Sequence, residues 1–210
     1  MIHILITSGP TRQYLDPVRY LTNASSGRMG AALAEVALEL GHAVTVISGP
    51  VTIEYPTAAQ VVEVDTTDDM LAAVLEHFPR HDGLIGAAAP CDYMPRRVRS
   101  EKIAKDGQPL MLELVETVDI VATAAQRKRA DQWVVGFALE TEDQRFRAIV
   151  KMQRKCCDLM VSNGPSAINA MDNDVEIIAA DGTTLAVVSG SKRIVAQAIL
   201  HAAEPLFRKS

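Results

Sequence analysis

Short apolar runs rich in β-branched residues alternate with amphipathic stretches along most of this chain, and that alternation constrains its fold more than any other feature. Ile2–Ile6, Ala43–Ile47, Val61–Val64, Leu84–Ala87, Trp133–Ala138 and Leu159–Val161 read as strands buried on both faces. Between the first two, Met29, Ala32, Leu33, Val36, Ala37 and Leu40 recur at helical spacing while Glu35 and Glu39 face away. Ser25 or Ser26 is expected to supply the N-cap oxygen of that helix, and Gly41 its left-handed stop. Further helices are predicted over Asp68–Phe78, Asp119–Arg127, Thr141–Cys157 and Ser191–Phe207. Strand alternating with helix implies an α/β fold in three layers, with a mostly parallel sheet and right-handed crossovers. Val175–Ala180 and Thr184–Val188, joined across Asp181-Gly182, read as an antiparallel hairpin at one sheet edge.

A length of 210 residues fits one domain with a core that needs no disulfide or metal staple. Lys+Arg 21 against Asp+Glu 26 leaves a net charge of −5, which argues against nucleic acid as the main partner. The cysteines, Cys91, Cys156 and Cys157, form no legible disulfide framework and suit a reducing compartment. No zinc-ligand spacing occurs among them or among His3, His42, His77, His81 and His201. The opening residues lack the cationic lead of a signal peptide, and no apolar run approaches the ~18 residues of a membrane span. A globular cytoplasmic protein with no membrane partner is expected.

Two segments break the rhythm. Ser8–Thr22 is a long excursion between the first strand and its helix, where such loops usually run ~2–6 residues. Pro90–Leu114 is polar and basic, carrying Arg96, Arg97, Arg99, Lys102 and Lys105 before the strand-like Leu110–Val115. Long loops at the C-terminal ends of strands are where open α/β sheets keep their sites. The first excursion delivers Ser25, Ser26, Gly27 and Gly30 to a helix N-terminus, where free N–H groups and the helix dipole favour an anion. The glycines follow neither the Gly-x-Gly-x-x-Gly dinucleotide pattern nor a Walker loop. A plain helix cap with a packing glycine is the competing interpretation of these four residues.

Asp16-Pro-Val-Arg-Tyr-Leu-Thr-Asn-Ala-Ser-Ser-Gly-Arg-Met-Gly30 closely resembles the signature of the phosphopantothenoylcysteine synthetase (phosphopantothenate–cysteine ligase) family. Ala87-Ala-Ala-Pro-Cys-Asp-Tyr93 resembles the family's Ala-Ala-Val-Ala-Asp-aromatic stretch, and Ser100-Glu-Lys-Ile-Ala-Lys105 its Lys-Ile-Lys-Lys motif, with Ala104 in place of a lysine. Val135-Gly-Phe-Ala-Leu-Glu-Thr141 and Lys151…Lys155 follow in order, so the resemblance runs along essentially the whole chain. It implies a Rossmann-like single ligase domain over 1–210, with a flap and dimerisation segment at about 90–117. The implied reaction joins 4'-phosphopantothenate and L-cysteine through an acyl-nucleotidyl intermediate formed with CTP, or with ATP in the alternative, in coenzyme A biosynthesis. Mg²⁺ is expected with the triphosphate, whose oxygens suit a hard cation. A homodimer is implied, and phosphopantothenoylcysteine decarboxylase is a further expected partner. No flavodoxin-like decarboxylase half precedes these motifs in the sequence, so the expectation is a free-standing ligase or one domain cut from a longer protein.

The resemblance assigns roles residue by residue. Asn23 matches the family's catalytic asparagine, whose carboxamide donates to the acyl oxygen as negative charge develops there. Arg19 would fork onto carboxylate or phosphate, and Lys102 would reach the nucleotide from the flap. Ser25, Ser26, Gly27 and Gly30, with Gly9 from the strand-end turn, would hold the triphosphate. Asp92 would accept from the sugar or base, while Ala88 and Ala89 line the substrate. Asp119, Ile120, Val121 and Ala122 open a helix whose N–H groups would read the base, and Phe137 would cover it. Lys151 and Lys155 adjoin at i,i+4 and would meet nucleotide phosphate or base, with Asn163 contacting phosphate or sugar. Cys91 is expected to pack rather than react, since this chemistry needs no thiol. A short-chain oxidoreductase also fits strand–loop–helix order, but no tyrosine here has a lysine four residues on. A non-catalytic binding module is the remaining rival, and the joint presence of Asn23, Asp92 and Lys102 speaks against it.

Overall fold

Side chains along the central strands alternate between two apolar clusters, and that period-two division builds the layers. In a computed structural model describing residues 1–139, 143–163 and 172–208, an eight-stranded sheet has the order β12-β11-β10-β9-β6-β1-β4-β5. The strands from β10 to β5 in that order are β10 (Leu159–Asn163), β9 (Trp133–Leu139), β6 (Gly83–Gly86), β1 (His3–Ser8), β4 (Ala43–Ser48) and β5 (Gln60–Glu63). These run parallel. Ile4, Ile6, Val44, Val46, Ile85 and Val135 pack on one face, against α1 (Arg28–Glu39) and α5 (Lys192–Ala203). Leu5, Ile47, Leu84, Val134 and Met160 pack on the other, against α2 (Thr67–His77), α3 (Ile120–Gln126) and α4 (Gln144–Lys155). The fold is therefore the mostly parallel, Rossmann-like three-layer α/β architecture that the sequence implies. β11 (Asp172–Ala179) and β12 (Thr184–Ser191) add the expected antiparallel hairpin at one edge.

Four local expectations need correction. Val61 is exposed, because β5 is the outermost strand on its side and no neighbour covers it. Neither Ser25 nor Ser26 caps α1. The N-cap position is Gly27, in the left-handed region at φ 74°, with no side-chain cap bond. Strand structure in the flap is confined to β8 (Leu114–Glu116), paired with β7 (Tyr93–Pro95), rather than running over Leu110–Val115. The last helix stops at Ala203, where Pro205 removes a donor and the chain tightens into a 3₁₀ turn over Glu204–Arg208. The expected helix start at Thr141 lies outside the described residues, and α4 is seen from Gln144.

Other helix ends are closed by side chains or by glycine. Thr66 and Asp69 form a reciprocal capping box on α2, Ser191 caps α5, and Gly41 takes up the left-handed stop after α1 at φ 81°. The Ser8–Thr22 excursion folds into a hairpin of β2 (Arg12–Tyr14) and β3 (Tyr20–Thr22). Its turn is organised by the buried Asp16 carboxylate, which accepts the backbone N–H groups of Val18 (2.8 Å) and Arg19 (2.9 Å). No described helix is long and apolar enough to cross a membrane.

Cys91 and Cys157 are buried, whereas Cys156 is exposed at the left-handed end of α4. Burial pushes the Cys157 thiol up to about 12 and raises that of Cys91 as well. A thiol-specific reagent added to the native chain should therefore titrate Cys156 rapidly and the two buried thiols only after unfolding. Equal native labelling of all three would contradict this packing.

Candidate active site

The sheet places β4 and β5 on one side of β1, and β6, β9 and β10 on the other. At such a switch point the loops leaving the strands separate and open a crevice. The crevice floor is tied together where Pro10 bridges Ala89 and the Ala89 N–H donates to the Gly9 carbonyl at 2.9 Å.

A cavity of about 510 Å³ opens there. Asn23, Ser25, Ser26 and Gly27 line it from the approach to α1. Ala88, Ala89 and Asp92 line it from the loop after β6, and Phe137 from β9. Lys151, Lys155 and Asn163 complete the far wall. Residues drawn from five separate stretches of sequence thus meet at one helix mouth. A neighbouring cavity of about 490 Å³ shares Ala88, Asp92, Phe137 and Lys155, and adds Asp119, Ile120, Val121 and Ala122.

Other expected site residues lie elsewhere. Arg19 is not on either cavity wall; its guanidinium meets Asp16 Oδ2 at 2.6 Å and donates to the Ile103 carbonyl at 3.1 Å. The Asp16 carboxylate also accepts the Ile103 N–H at 3.1 Å, so this pair fastens the flap to the β2–β3 hairpin. Burial works to raise the Asp16 pKa. The N–H bonds from Ile103, Val18 and Arg19, with the Arg19 charge, outweigh it and hold the carboxyl below its usual range. Lys102 is exposed on the flap, away from both walls. Gly30 faces β1 rather than the crevice: a Cβ there would lie 2.1 Å from Ser8 Oγ. Gly9 faces Val51, 2.7 Å from an added Cβ. The packing interpretation of Gly30 is the one its surroundings support.

Asn23 is exposed at the helix mouth, with its Nδ2 donating to the Pro90 carbonyl at 2.8 Å and to the Ala89 carbonyl at 3.3 Å. Two carbonyl partners fix which end of the amide carries the nitrogen. A ligand acceptor entering the crevice would compete for the longer of these bonds. Asp119 Oδ1 accepts the Ala122 N–H at 3.0 Å, while Oδ2 meets Lys155 Nζ at 3.0 Å. Among the α3 positions expected to read a base, Ala122 therefore has its N–H engaged, leaving those of Ile120 and Val121 without intrahelical partners. Asn163 Oδ1 is buried with no hydrogen-bond partner, and an acceptor so placed suits a ligand hydroxyl rather than a phosphate oxygen.

Arg28 and Lys192 also line the main cavity and escaped the sequence reading. Arg28 was legible in principle, since it follows the Ser-Ser-Gly turn. Lys192 comes from the start of α5, and only the packing of α5 on α1 brings it close. Burial, reinforced by the Arg28 charge, lowers the Lys192 pKa. Among the described residues lining the main cavity, Arg28, Lys151, Lys155 and Lys192 bring four cationic side chains and Asp92 one carboxylate, with Lys155 also held by Asp119 from the neighbouring cavity, so cationic groups gather here within an acidic protein. No group of three or more His, Cys, Asp or Glu able to hold a metal occurs among the described residues.

Residues 1–206 match the model for the DNA/pantothenate metabolism flavoprotein C-terminal domain. The chain belongs to this family. Among its relatives, the coenzyme A biosynthesis bifunctional protein CoaBC of Vibrio vulnificus is 37% identical over 209 residues, 97% of this chain and 52% of that protein. The protein of the same name from Bacillus subtilis is 42% identical over 185 residues, 86% of this chain and 45% of that one. The chain thus spans about half the length of the curated relatives it matches. In structure, this family member superposes on the crystal structure of the C-terminal domain of coenzyme A biosynthesis bifunctional protein CoaBC with a TM-score of 0.84. That match has 36% identity and covers 100% of this chain and 97% of the other.

Proposed function

We propose that this chain is a ligase of coenzyme A biosynthesis that joins 4'-phosphopantothenate to L-cysteine through an acyl-nucleotidyl intermediate formed with CTP. The observation carrying this reading is the cationic crevice at the mouth of α1, with the Asn23 carboxamide at its rim. In the first step a carboxylate oxygen of phosphopantothenate attacks the α-phosphorus, and the bond to the pyrophosphate oxygen breaks. In the second the cysteine amine, freed of its ammonium proton, attacks the acyl carbon and expels the nucleoside monophosphate.

Both steps gather negative charge, so fixed donors and cations dominate the catalysis. The first N–H groups of α1 and the Arg28, Lys151 and Lys192 side chains suit the triphosphate, while Ser25 and Ser26 offer hydroxyl donors to its oxygens. Asp92 and the unpartnered Asn163 oxygen suit ribose hydroxyls, with Phe137 against the nucleoside and the α3 opening toward the base. Asn23 donates to the acyl oxygen after exchanging a loop carbonyl for it. Mg²⁺ would arrive on the triphosphate oxygens and would neutralise phosphate charge there.

Lys102 would meet the nucleotide only through flap movement. Lys102→Gln should leave the fold intact and stall one half-reaction, read by following pyrophosphate release and amide formation separately. Both proceeding normally would remove Lys102 from the mechanism. The flap also exposes Val98, Leu110, Met111 and Leu112, with Met111 87% accessible. Apolar surface of this kind is covered in a homodimer, and sedimentation at micromolar concentration should give twice 22.7 kDa; a stable monomer would contradict it.

The whole of 1–210 acts in this reading as one cytoplasmic ligase domain, with a decarboxylase fused or associated as its partner. The test is pyrophosphate release from each nucleoside triphosphate with phosphopantothenate and cysteine. Release with CTP supports the full reading, release with ATP alone changes the nucleotide, and release with none overturns the ligase.

A further inference from the structure

A line of hydroxyl groups that the proposed chemistry does not use runs beneath the mouth of α1. Ser8, fully buried at the end of β1, donates through Oγ to the Gly27 carbonyl at 3.1 Å. The Tyr55 hydroxyl donates to Ser8 Oγ at 2.9 Å and lies 2.8 Å from Ser48 Oγ. The Gly27 carbonyl can only accept, so Ser8 donates to it and accepts from Tyr55, while the Ser48 hydroxyl has both the Gly49 carbonyl, at 2.8 Å, and the Tyr55 oxygen within reach.

Two further observations show that the turn is shaped around this chain. Gly30 leaves the space that Ser8 Oγ fills, since any Cβ there would sit 2.1 Å from it. Gly27, left-handed at φ 74°, also accepts the first helical bond of α1 from the Ala31 N–H at 3.1 Å. Holding the Gly27 carbonyl down against Ser8 fixes the peptide planes that follow. Arg28 and Met29, whose N–H groups have no intrahelical acceptor, line the crevice.

We infer that Tyr55 is a positioning residue for anion binding at the α1 mouth, acting through Ser8 on the Gly27 carbonyl so that the helix's first N–H groups are aimed at a chain of phosphates. The inference deepens the proposed triphosphate site and rests on that reading for its ligand. Tyr55 touches no phosphate itself; it stands on the far side of the turn, on the loop after β4.

Calorimetric binding of tripolyphosphate and, separately, of cytidine to the wild-type chain, Tyr55→Phe, Ser8→Ala and the double variant tests it. Tyr55→Phe keeps the ring and its packing. It should weaken tripolyphosphate about fivefold, equivalent to about 1 kcal/mol, and leave cytidine affinity unchanged, whereas general loosening of the fold would weaken both. Tyr55→Phe should add nothing once Ser8 is alanine, because the two act in series. Wild-type tripolyphosphate affinity in Tyr55→Phe, or effects that simply sum in the double variant, would overturn the inference. So would a wild-type chain with no affinity for tripolyphosphate. A wild type that binds tripolyphosphate with the expected variant pattern, yet releases no pyrophosphate from any nucleoside triphosphate, would uphold the positioning role and remove the ligase reading alone.

Discussion

Asn23→Ala is expected to lower amide formation by about 10²–10³-fold, the cost of removing one donor to a developing oxyanion. Nucleotide affinity should survive, because the groups suited to the triphosphate sit on α1, α4 and α5 rather than on this side chain. The same substitution releases the carbonyls of Ala89 and Pro90 that Nδ2 now holds. Asn23→Asp separates the two effects: it keeps the size of the side chain but replaces the donor with an acceptor that repels both those carbonyls and the incoming charge. Turnover should fall at least as far as in the alanine variant. Steady-state rates set beside nucleotide binding by calorimetry would check both. Wild-type turnover in Asn23→Ala would end its catalytic assignment.

Gly30→Ala is expected to produce the largest structural effect. The new Cβ would lie 2.1 Å from Ser8 Oγ and 2.4 Å from Ser8 Cβ, so α1 must withdraw from β1. Overpacking of this kind costs about 2–3 kcal/mol, and at this chain length each kcal/mol lowers Tm by about 2–4 °C. A fall of roughly 5–10 °C in thermal unfolding follows. Because the withdrawn helix carries the crevice mouth, turnover should drop by about 10²-fold, the penalty typical of an ångström-scale misplacement. Gly41→Ala is the control. Nothing lies within 4 Å of a Cβ there, although φ is 81°, so the substitution should cost about 1–2 kcal/mol of strain and leave nucleotide affinity alone. Equal stability of Gly30→Ala and wild type would show that α1 does not press on β1 at this point.

Much of this architecture is legible from residue pattern because it is built from long, strongly periodic segments. The alternation that sends Leu5 to one face and Ile4 and Ile6 to the other is written into β1. The Asp181-Gly182 turn similarly announces the β11–β12 hairpin. What misleads is chemistry that has two structural uses. Ser25 and Ser26 carry good capping oxygens, but the chain enters α1 through a left-handed glycine, and no side chain reaches the first turn as a cap. The Arg19 guanidinium, expected to meet an anion, likewise has a structural use: Asp16, three residues before it, holds it against the Ile103 carbonyl.

Other features depend on contacts that no local pattern encodes. The β2–β3 hairpin has strands of only three residues, too short to show a period. Lys155 and Asp119 meet at 3.0 Å only because α3 and α4 pack side by side. Lys192 and Tyr55 belong to the site by tertiary packing alone: one through α5 lying on α1, the other through a hydroxyl chain crossing beneath the turn.

In the proposed reaction this crevice joins a carboxylate to the α-phosphate of a nucleotide, and oxygen transfer reports on that step directly. Phosphopantothenate labelled with ¹⁸O in its carboxylate, incubated with the protein, CTP and cysteine, should place one labelled oxygen in the released CMP, because that oxygen bridges acyl carbon and phosphorus in the intermediate. Amide formed with label-free CMP, or with label in inorganic phosphate, would contradict it.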